Sequence, residues 1–319
     1  MNKITGLIYF PDSIFCSKDS LGKRYEIAIS NIPGFFITPR LPYNFTKENR
    51  ILEKTLKPPL KIDKKIVDSK NVNWGRPYKF PQGDSIVNIV AIEFLFDSSN
   101  EDYAIGNMIF NDFKDWLVLF KDYIQIFTHQ DMSGIPKLNH EIQELKLWQY
   151  NNNNIKENAY SRPNVLTVTI PSDKELITYK ILKKSLRLCS NGVNPRLEHI
   201  LFKESINAFR TKDYRKSVLE SATIVEIILT NQIEKLLLKS NNENFTKAIL
   251  KRYQTLGNLL KLSKLVELNL PNYQYYEKVL QPRNKVIHKG LIPTRDDAKH
   301  SMEIADALIG YFDIPITEI

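Results

Sequence analysis

Proline divides this chain of 319 residues into two regions that cannot share one architecture. Eight of the 16 prolines lie before residue 82, whereas residues 196 to 256 contain neither proline nor glycine. Because proline breaks the interior of a helix, long helices are excluded early in the chain and allowed late. The length also exceeds that of one typical domain. We therefore predict two domains, 1–192 and 193–319, with a helix at 172–190 that could belong to either.

The first region alternates short β-prone runs with turn residues, a pattern that predicts a sheet. Large apolar residues then recur at three- and four-residue steps, which predicts one amphipathic helix over 107–130. We expect an α+β N-terminal domain, a β-rich sheet with one long helix. The predicted strands lie at 4–10, 25–30, 35–38, 85–96, 145–150 and 165–170.

The second region has the apolar period of helices and predicts an all-α bundle of about five. Thr294 and Asp297 have the spacing of a capping box at the start of the last helix, and Gly290 is a stop for the helix before it. The predicted helices lie at 196–210, 213–239, 245–266, 272–289 and 295–312.

Charge and cysteine content limit the kinds of partner and compartment. The formal charge of +9 favours a polyanionic partner such as RNA, although the excess is spread over both regions. Cys16 and Cys189 fit neither a disulfide framework nor a metal site. No apolar stretch reaches the length of a membrane span, and the N-terminus lacks the pattern of a secretory signal. We expect a cytoplasmic protein with no membrane segment, no metal and no cofactor.

One motif has catalytic character. Signatures of phosphate-loop ATPases, dinucleotide-binding folds, zinc proteases and serine hydrolases are absent from the sequence. What remains is Arg283, Asn284 and His288, an R-N-x3-H pattern near the end of a predicted helix. It resembles the RX4-6H motif of HEPN domains, and the similarity covers roughly residues 195 to 312.

The resemblance implies a HEPN-like helical bundle that acts as a metal-independent endoribonuclease and assembles as a homodimer. The β-containing region ahead of the bundle is similar in layout to that of Apea-like and abortive-infection HEPN proteins of bacterial phage defence. It therefore implies a toxin or antiviral effector, whose N-terminal domain recognises a trigger or partner.

The residue types suit that chemistry independently of the resemblance. Cleavage of RNA by its own 2′-hydroxyl needs a proton acceptor, for which His288 is suited, and positive charge on the phosphate, which Arg283 supplies. At 100° per residue these two side chains lie about 140° apart around one helix, whereas Asn284 and His288 share a face. We therefore predict that two protomers contribute to one cleft. The competing interpretation is a surface arginine and a histidine that stabilises the helix end.

Glu226 falls on an apolar stripe of its predicted helix, where an unpaired carboxylate is costly. Arg283 is the first candidate partner and His288 the second, while a solvated edge or a lysine is an equal alternative. Basic residues near the motif are predicted to guide RNA: Lys285, Lys289, Arg295 and Lys299. A non-catalytic dimerisation scaffold, whose N-terminal domain binds nucleic acid or protein, is the second functional hypothesis.

Overall fold

The computed structural model describes residues 2–22, 27–28, 36–40, 56, 74–79, 85–98, 105–132, 145–151, 154–158 and 176–317. The chain divides into two compact units, Met1–Asn194 and Pro195–Ile319. Spanning a bilayer takes about 20 apolar residues in one helix, and none of the helices in the described ranges meets that requirement.

The strands of the first unit are antiparallel in every described pairing and follow the order β2-β3-β5-β1-β6-β7, with β4 also paired to β5. In the ladder of the two longest strands the register shifts between Tyr9 and Ile14. Pro11 lies inside that shift, where a residue without an N–H breaks no ladder bond. The strands are β1 (Asn2–Ser17), β2 (Ile27–Ala28), β3 (Phe36–Arg40), β4 (Gly75–Lys79), β5 (Ser85–Ser98), β6 (Leu145–Asn151) and β7 (Asn154–Asn158).

Parts of this unit stay predictions. The strand expected at 165–170 lies outside the described residues, and so do residues 41–55 and 57–73. The assignment of the whole unit to the α+β class is therefore still a prediction.

Two α-helices lie in the described part of the first unit. Helix α1 (Ile105–Thr128) buries Leu117, Phe120 and Ile124, as its apolar period predicts. Helix α2 (Tyr179–Ser190) begins later than the predicted helix at 172–190. Ile177 instead bonds the backbone of β1 through its N–H and its carbonyl, so Thr178 becomes the N-cap.

The second unit is the predicted helical bundle. Its helices are α3 (Leu197–Arg210), α4 (Tyr214–Leu237), α5 (Glu243–Arg252), α6 (Leu256–Leu265), α7 (Gln281–Lys289) and α8 (Arg295–Tyr311). Helix α4 is central, because nine of its residues are buried, and it packs against α3, α6 and α8.

One predicted helix is two helices. The apolar period over 245–266 predicts a continuous helix, but α5 ends at Arg252 and α6 begins at Leu256. Thr255 accepts a hydrogen bond from the N–H of Asn258 and so starts α6 as an N-cap. The break adds a helix N-terminus to the bundle.

The last two helices have the predicted ends. Thr294 and Asp297 form both hydrogen bonds of the capping box at the start of α8. Gly290 follows α7 with φ of 63°, a left-handed conformation that glycine adopts without steric cost.

Candidate functional site

Helix α7 carries the motif and has an irregular turn directly before it. The chain forms a π-helical turn over Tyr276–Leu280 and becomes α-helical at Gln281, so the predicted helix at 272–289 is regular only in its second part. Pro282 is buried near the start of α7 and has no N–H to donate. The carbonyl of Lys278, four residues earlier, accepts a hydrogen bond of 2.6 Å from the Ser301 hydroxyl of α8. Proline and Ser301 together account for the irregular turn.

Arg283 and Glu226 form the predicted ion pair. The guanidinium Nη2 lies 3.4 Å from Glu226 Oε1, and the two side chains are 22% and 24% exposed. The same carboxylate oxygen accepts a hydrogen bond of 3.0 Å from the backbone N–H of Leu256, the first residue of α6. A carboxylate is favoured at a helix N-terminus by the helix dipole. Glu226 is therefore held by a side chain and by a helix end.

Arg283 keeps most of its hydrogen-bonding capacity. Its Nη1 donates to Asn284 Oδ1 at 3.2 Å, and its Nη2 donates to Glu226. A guanidinium has five N–H donors, so three lack a protein acceptor within the described residues. The 3.4 Å contact is also longer than the usual 2.7 to 2.9 Å of a charge-assisted bond. Arg283 is positioned, and its donors are not saturated.

His288 lies apart from this pair. It is exposed on the last turn of α7, and no hydrogen bond or ion pair of its imidazole occurs in the described part of the chain. It does not partner Glu226, the second pairing considered from the sequence. The irregular turn precedes both Arg283 and His288, so the regular helix keeps them about 140° apart. The helix therefore does not place Arg283 and His288 on the same face.

Two of the predicted RNA-binding residues lie on the same helix as the motif. Lys285 and Lys289 are exposed, and their spacing of four places them on one face. Two like charges at this spacing repel each other slightly, and an anion between them relieves that repulsion.

The other two lie on α8 and already have neighbours. The Arg295 guanidinium lies 5.7 Å from the ring centre of Phe209, within the range of a cation–π contact. Lys299 lies 3.7 Å from Glu303, one turn further along the helix. These two side chains are exposed but less available than Lys285 and Lys289.

The sequence interpretation missed an apolar surface around His288. Ile287, Leu291 and Ile292 are 48%, 52% and 80% exposed, and we refer to these three residues as the apolar patch. The signal was present, because three aliphatic residues occur within six positions around a helix-ending glycine.

The cysteines and the metal-binding side chains can also be placed. Cys16 and Cys189 are buried, and burial raises the pKa of the Cys16 thiol to about 12 and that of the Cys189 thiol well above its ordinary value. Neither is a thiolate at neutral pH. No group of three His, Cys, Asp or Glu side chains in the described ranges could hold a metal ion.

Comparisons of the chain with protein-family models, with curated proteins and with solved structures gave no match.

Proposed function

We propose that the second unit is a HEPN-like endoribonuclease that cuts RNA by attack of the ribose 2′-hydroxyl and needs no metal. The observation that carries the proposal is the hydrogen bonding of the Arg283 guanidinium. Glu226 and Asn284 hold its guanidinium in place while three N–H donors are left for a phosphate. The Arg283 side chain is also 22% exposed, so a phosphate arriving from solvent can reach those donors.

The reaction assigns one task to each side chain. The 2′-oxygen attacks the adjacent phosphorus, His288 accepts the hydroxyl proton, and Arg283 stabilises the charge on the phosphorane oxygens. The bond from phosphorus to the 5′-oxygen breaks, and that oxygen takes a proton. The products are a 2′,3′-cyclic phosphate and a 5′-hydroxyl end. Glu226 and Asn284 act by positioning Arg283.

Two copies of the chain complete the site. Because Arg283 and His288 lie about 140° apart around α7, we expect a phosphate to contact the arginine of one protomer and the histidine of its partner. Pairing of α7 helices around a two-fold axis brings the arginine of one copy toward the histidine of the other. The apolar patch supplies surface that such a dimer would bury, and Lys285 and Lys289 add positive charge beside it.

The biological role follows from the family resemblance alone. The proposed setting is the cytoplasm of a cell that arrests its growth during phage infection. The first unit would then recognise the trigger or partner, and the second unit would act on RNA.

The decisive experiment incubates the purified full-length protein with total RNA in the presence of EDTA. We expect fragments with 2′,3′-cyclic phosphate ends, and a rate that changes with pH where histidine side chains exchange protons. His288→Ala should lower the rate about 1000-fold, whereas His300→Ala, which changes a half-buried histidine on α8 outside the motif, should not. Equal rates for both variants, or a rate independent of pH between 5 and 9, would contradict the assignment of His288.

A non-catalytic dimerisation scaffold is the second candidate, and the apolar patch is the observation that favours it. The two candidates differ in what a dimer-breaking variant does. Ile292→Asp should give monomers in either case, but only the nuclease proposal predicts that cleavage is lost with the dimer. A dimeric wild-type protein that leaves every RNA intact would favour the scaffold.

A further inference from the structure

A wide groove lies on the second unit between α6 and the segment that leads into α7. Its volume is about 1100 Å³, and it is bordered by residues 257–264 on one side and 267–280 on the other. The segment from 266 to 274 is not helical, whereas the sequence predicts helices up to 266 and again from 272, so the non-helical interval is longer than expected. This departure from the bundle pattern creates the groove.

Two tyrosines present their rings to solvent on one wall of the groove. Tyr273 is 40% exposed and Tyr276 is 58% exposed. Tyr273 is held in place, because its ring meets that of buried Tyr275 edge-on at 5.9 Å and its N–H donates to the Pro271 carbonyl. The Tyr275 hydroxyl donates to the same carbonyl at 3.0 Å. A ring that is exposed yet held in place, as that of Tyr273 is, suits the stacking of a flat ligand, and the exposed ring of Tyr276 adds a second surface.

The polar lining suits the edges of nucleobases. Asn258, Asn269 and Asn272 place amide groups along the groove, and amides both donate and accept hydrogen bonds. Lys261 and Lys264 are exposed one turn apart on α6 and can contact phosphates. Two glutamates, at 267 and 277, also line the groove, so it is not uniformly positive. Neutral bases with phosphates at the lysines fit this distribution better than a polyanion lying along the floor.

The groove begins next to the candidate site. Leu256, which donates its N–H to Glu226, is followed by Gly257 in the groove wall. A side chain at Gly257 would approach Leu280 to 3.3 Å, so the glycine lets α6 lie close to the turn that precedes α7. Leu280 also lines the groove and lies three residues before Arg283. A strand whose phosphate contacts Arg283 can continue directly into the groove.

From this arrangement we propose that the groove binds a short single-stranded RNA segment beside the scissile phosphate. Its bases stack on Tyr273 and Tyr276 and its phosphates contact Lys261 and Lys264. The inference rests on the proposed nuclease function, to which it adds a site for the substrate. Bases that are unpaired and splayed are the form of RNA that proteins stack and read, whereas the bases of a duplex are covered by their neighbours.

The test measures binding separately from cleavage. Full-length protein carrying His288→Ala is titrated into a fluorescein-labelled 12-nucleotide RNA of mixed sequence in EDTA, and anisotropy gives Kd. The double variant Tyr273→Ala, Tyr276→Ala should raise Kd at least about 10-fold, because each base that stacks on an aromatic ring adds to the affinity. The double Phe variant, which keeps both rings, should stay within about 2-fold.

Phe245→Ala is the matched control, since this aromatic residue is 48% exposed on α5 and does not line the groove. It should leave Kd unchanged. Cross-linking of a 4-thiouridine RNA to the same protein, mapped by mass spectrometry, should label peptides within 257–280. An unchanged Kd for the double Ala variant, equal binding of a 12-base-pair duplex, or cross-links confined to other segments would each overturn the proposal.

The groove and the nuclease proposal can fail separately. Cleavage that depends on His288 but is unaffected by the double Ala variant would refute the groove and leave the nuclease function standing. If the protein cuts no RNA but binds it in a way that depends on the two tyrosines, the groove proposal stands and the nuclease function is refuted. If neither tyrosine affects the affinity for RNA, the RNA proposal is refuted, and the groove is then better explained as a site for a protein partner.

Discussion

Two arginine–glutamate pairs in the second unit differ in almost every physical respect. In the closed pair, Arg196 and Glu198, two nitrogens of one guanidinium contact both carboxylate oxygens, at 2.8 and 3.3 Å, and Glu198 is 3% exposed. In the open pair, Arg283 and Glu226, one contact of 3.4 Å joins side chains that are each about a quarter exposed. The closed pair joins residues two apart, and the open pair joins residues 57 apart.

The surroundings explain the difference. Arg196 starts α3, where its backbone N–H bonds the Ile316 carbonyl and Pro195 bridges to Thr317, so the closed pair lies where the two ends of the unit meet. The open pair connects the middle of α4 to the motif helix and to the start of α6. A saturated pair fixes a fold, whereas an unsaturated pair leaves donors for a ligand. The predictions below test that distinction.

The largest effect is expected from Arg283→Lys. Lysine keeps the charge but cannot contact two phosphate oxygens as a fork, so cleavage should fall about 100-fold, equivalent to about 2.7 kcal/mol. The free energy of unfolding should change by less than about 1 kcal/mol, because a partly exposed pair contributes little. Arg215→Lys, an exposed arginine on α4, is the control for rate and for urea unfolding. Full activity of Arg283→Lys would show that the open pair is structural.

Arg196→Met should show the opposite pattern. Removing the guanidinium leaves the buried carboxylate of Glu198 without its main partner, so the unfolding free energy should fall by about 2 kcal/mol. Cleavage per folded molecule should stay the same. Urea unfolding of Arg196→Met beside Arg215→Met measures the difference. Equal stability of the two variants would mean that the closed pair does not stabilise the fold.

Glu226→Gln should have an intermediate effect on activity. Glutamine still offers an oxygen to the Leu256 N–H but loses the charge that holds Arg283, so we expect cleavage to fall about 10-fold. Glu303→Gln removes an exposed carboxylate on α8 and should leave the rate unchanged. An equal rate for both variants would show that Glu226 does not position Arg283.

The smallest expected effect is a pH dependence of the unfolding free energy, which arises at Glu198 of the closed pair and at the adjacent His199. Burial lowers the pKa of His199 below its ordinary value of 6.5, although the Nε2–H donates to the Ile314 carbonyl at 3.0 Å. Burial opposes the charge of Glu198, but the hydrogen bond from Arg196, a backbone hydrogen bond and the nearby positive charge together outweigh it and keep that pKa below 4.5. In both cases the unfolded chain binds more protons, so stability should decrease as the pH falls below 6.5, and again below 4.5.

His199→Gln isolates the first part of that pH dependence. Urea unfolding at pH 7 and 5.5 should show a smaller loss of stability in His199→Gln than in the wild type, while His300→Gln should behave as the wild type. Identical losses in all three proteins would rule out His199 as the group responsible.

Sequence reasoning succeeded where the interactions are local. The capping box of Thr294 and the stop at Gly290 were found because each depends on residues within one turn. The continuous helix predicted over 245–266 was wrong, because an apolar period does not show where a chain leaves one helix axis for another. The helix predicted over 272–289 is helical from residue 275 and contains a π-helical turn that its apolar period does not show. Tyr273 lies just before that helix, and Tyr276 lies in its π-helical turn.

The sequence by itself determined that the second region is helical, where its last helix starts, and that an arginine and a histidine sit five positions apart on one helix. Those properties depend on periodicity and on short-range hydrogen bonds, which the order of residues specifies directly. Only the tertiary structure decided that Arg283 pairs with Glu226 and that the N-terminus of α6 shares that carboxylate. Such contacts join residues far apart in the chain, and they form only when the packing of the bundle has brought three helices to one point.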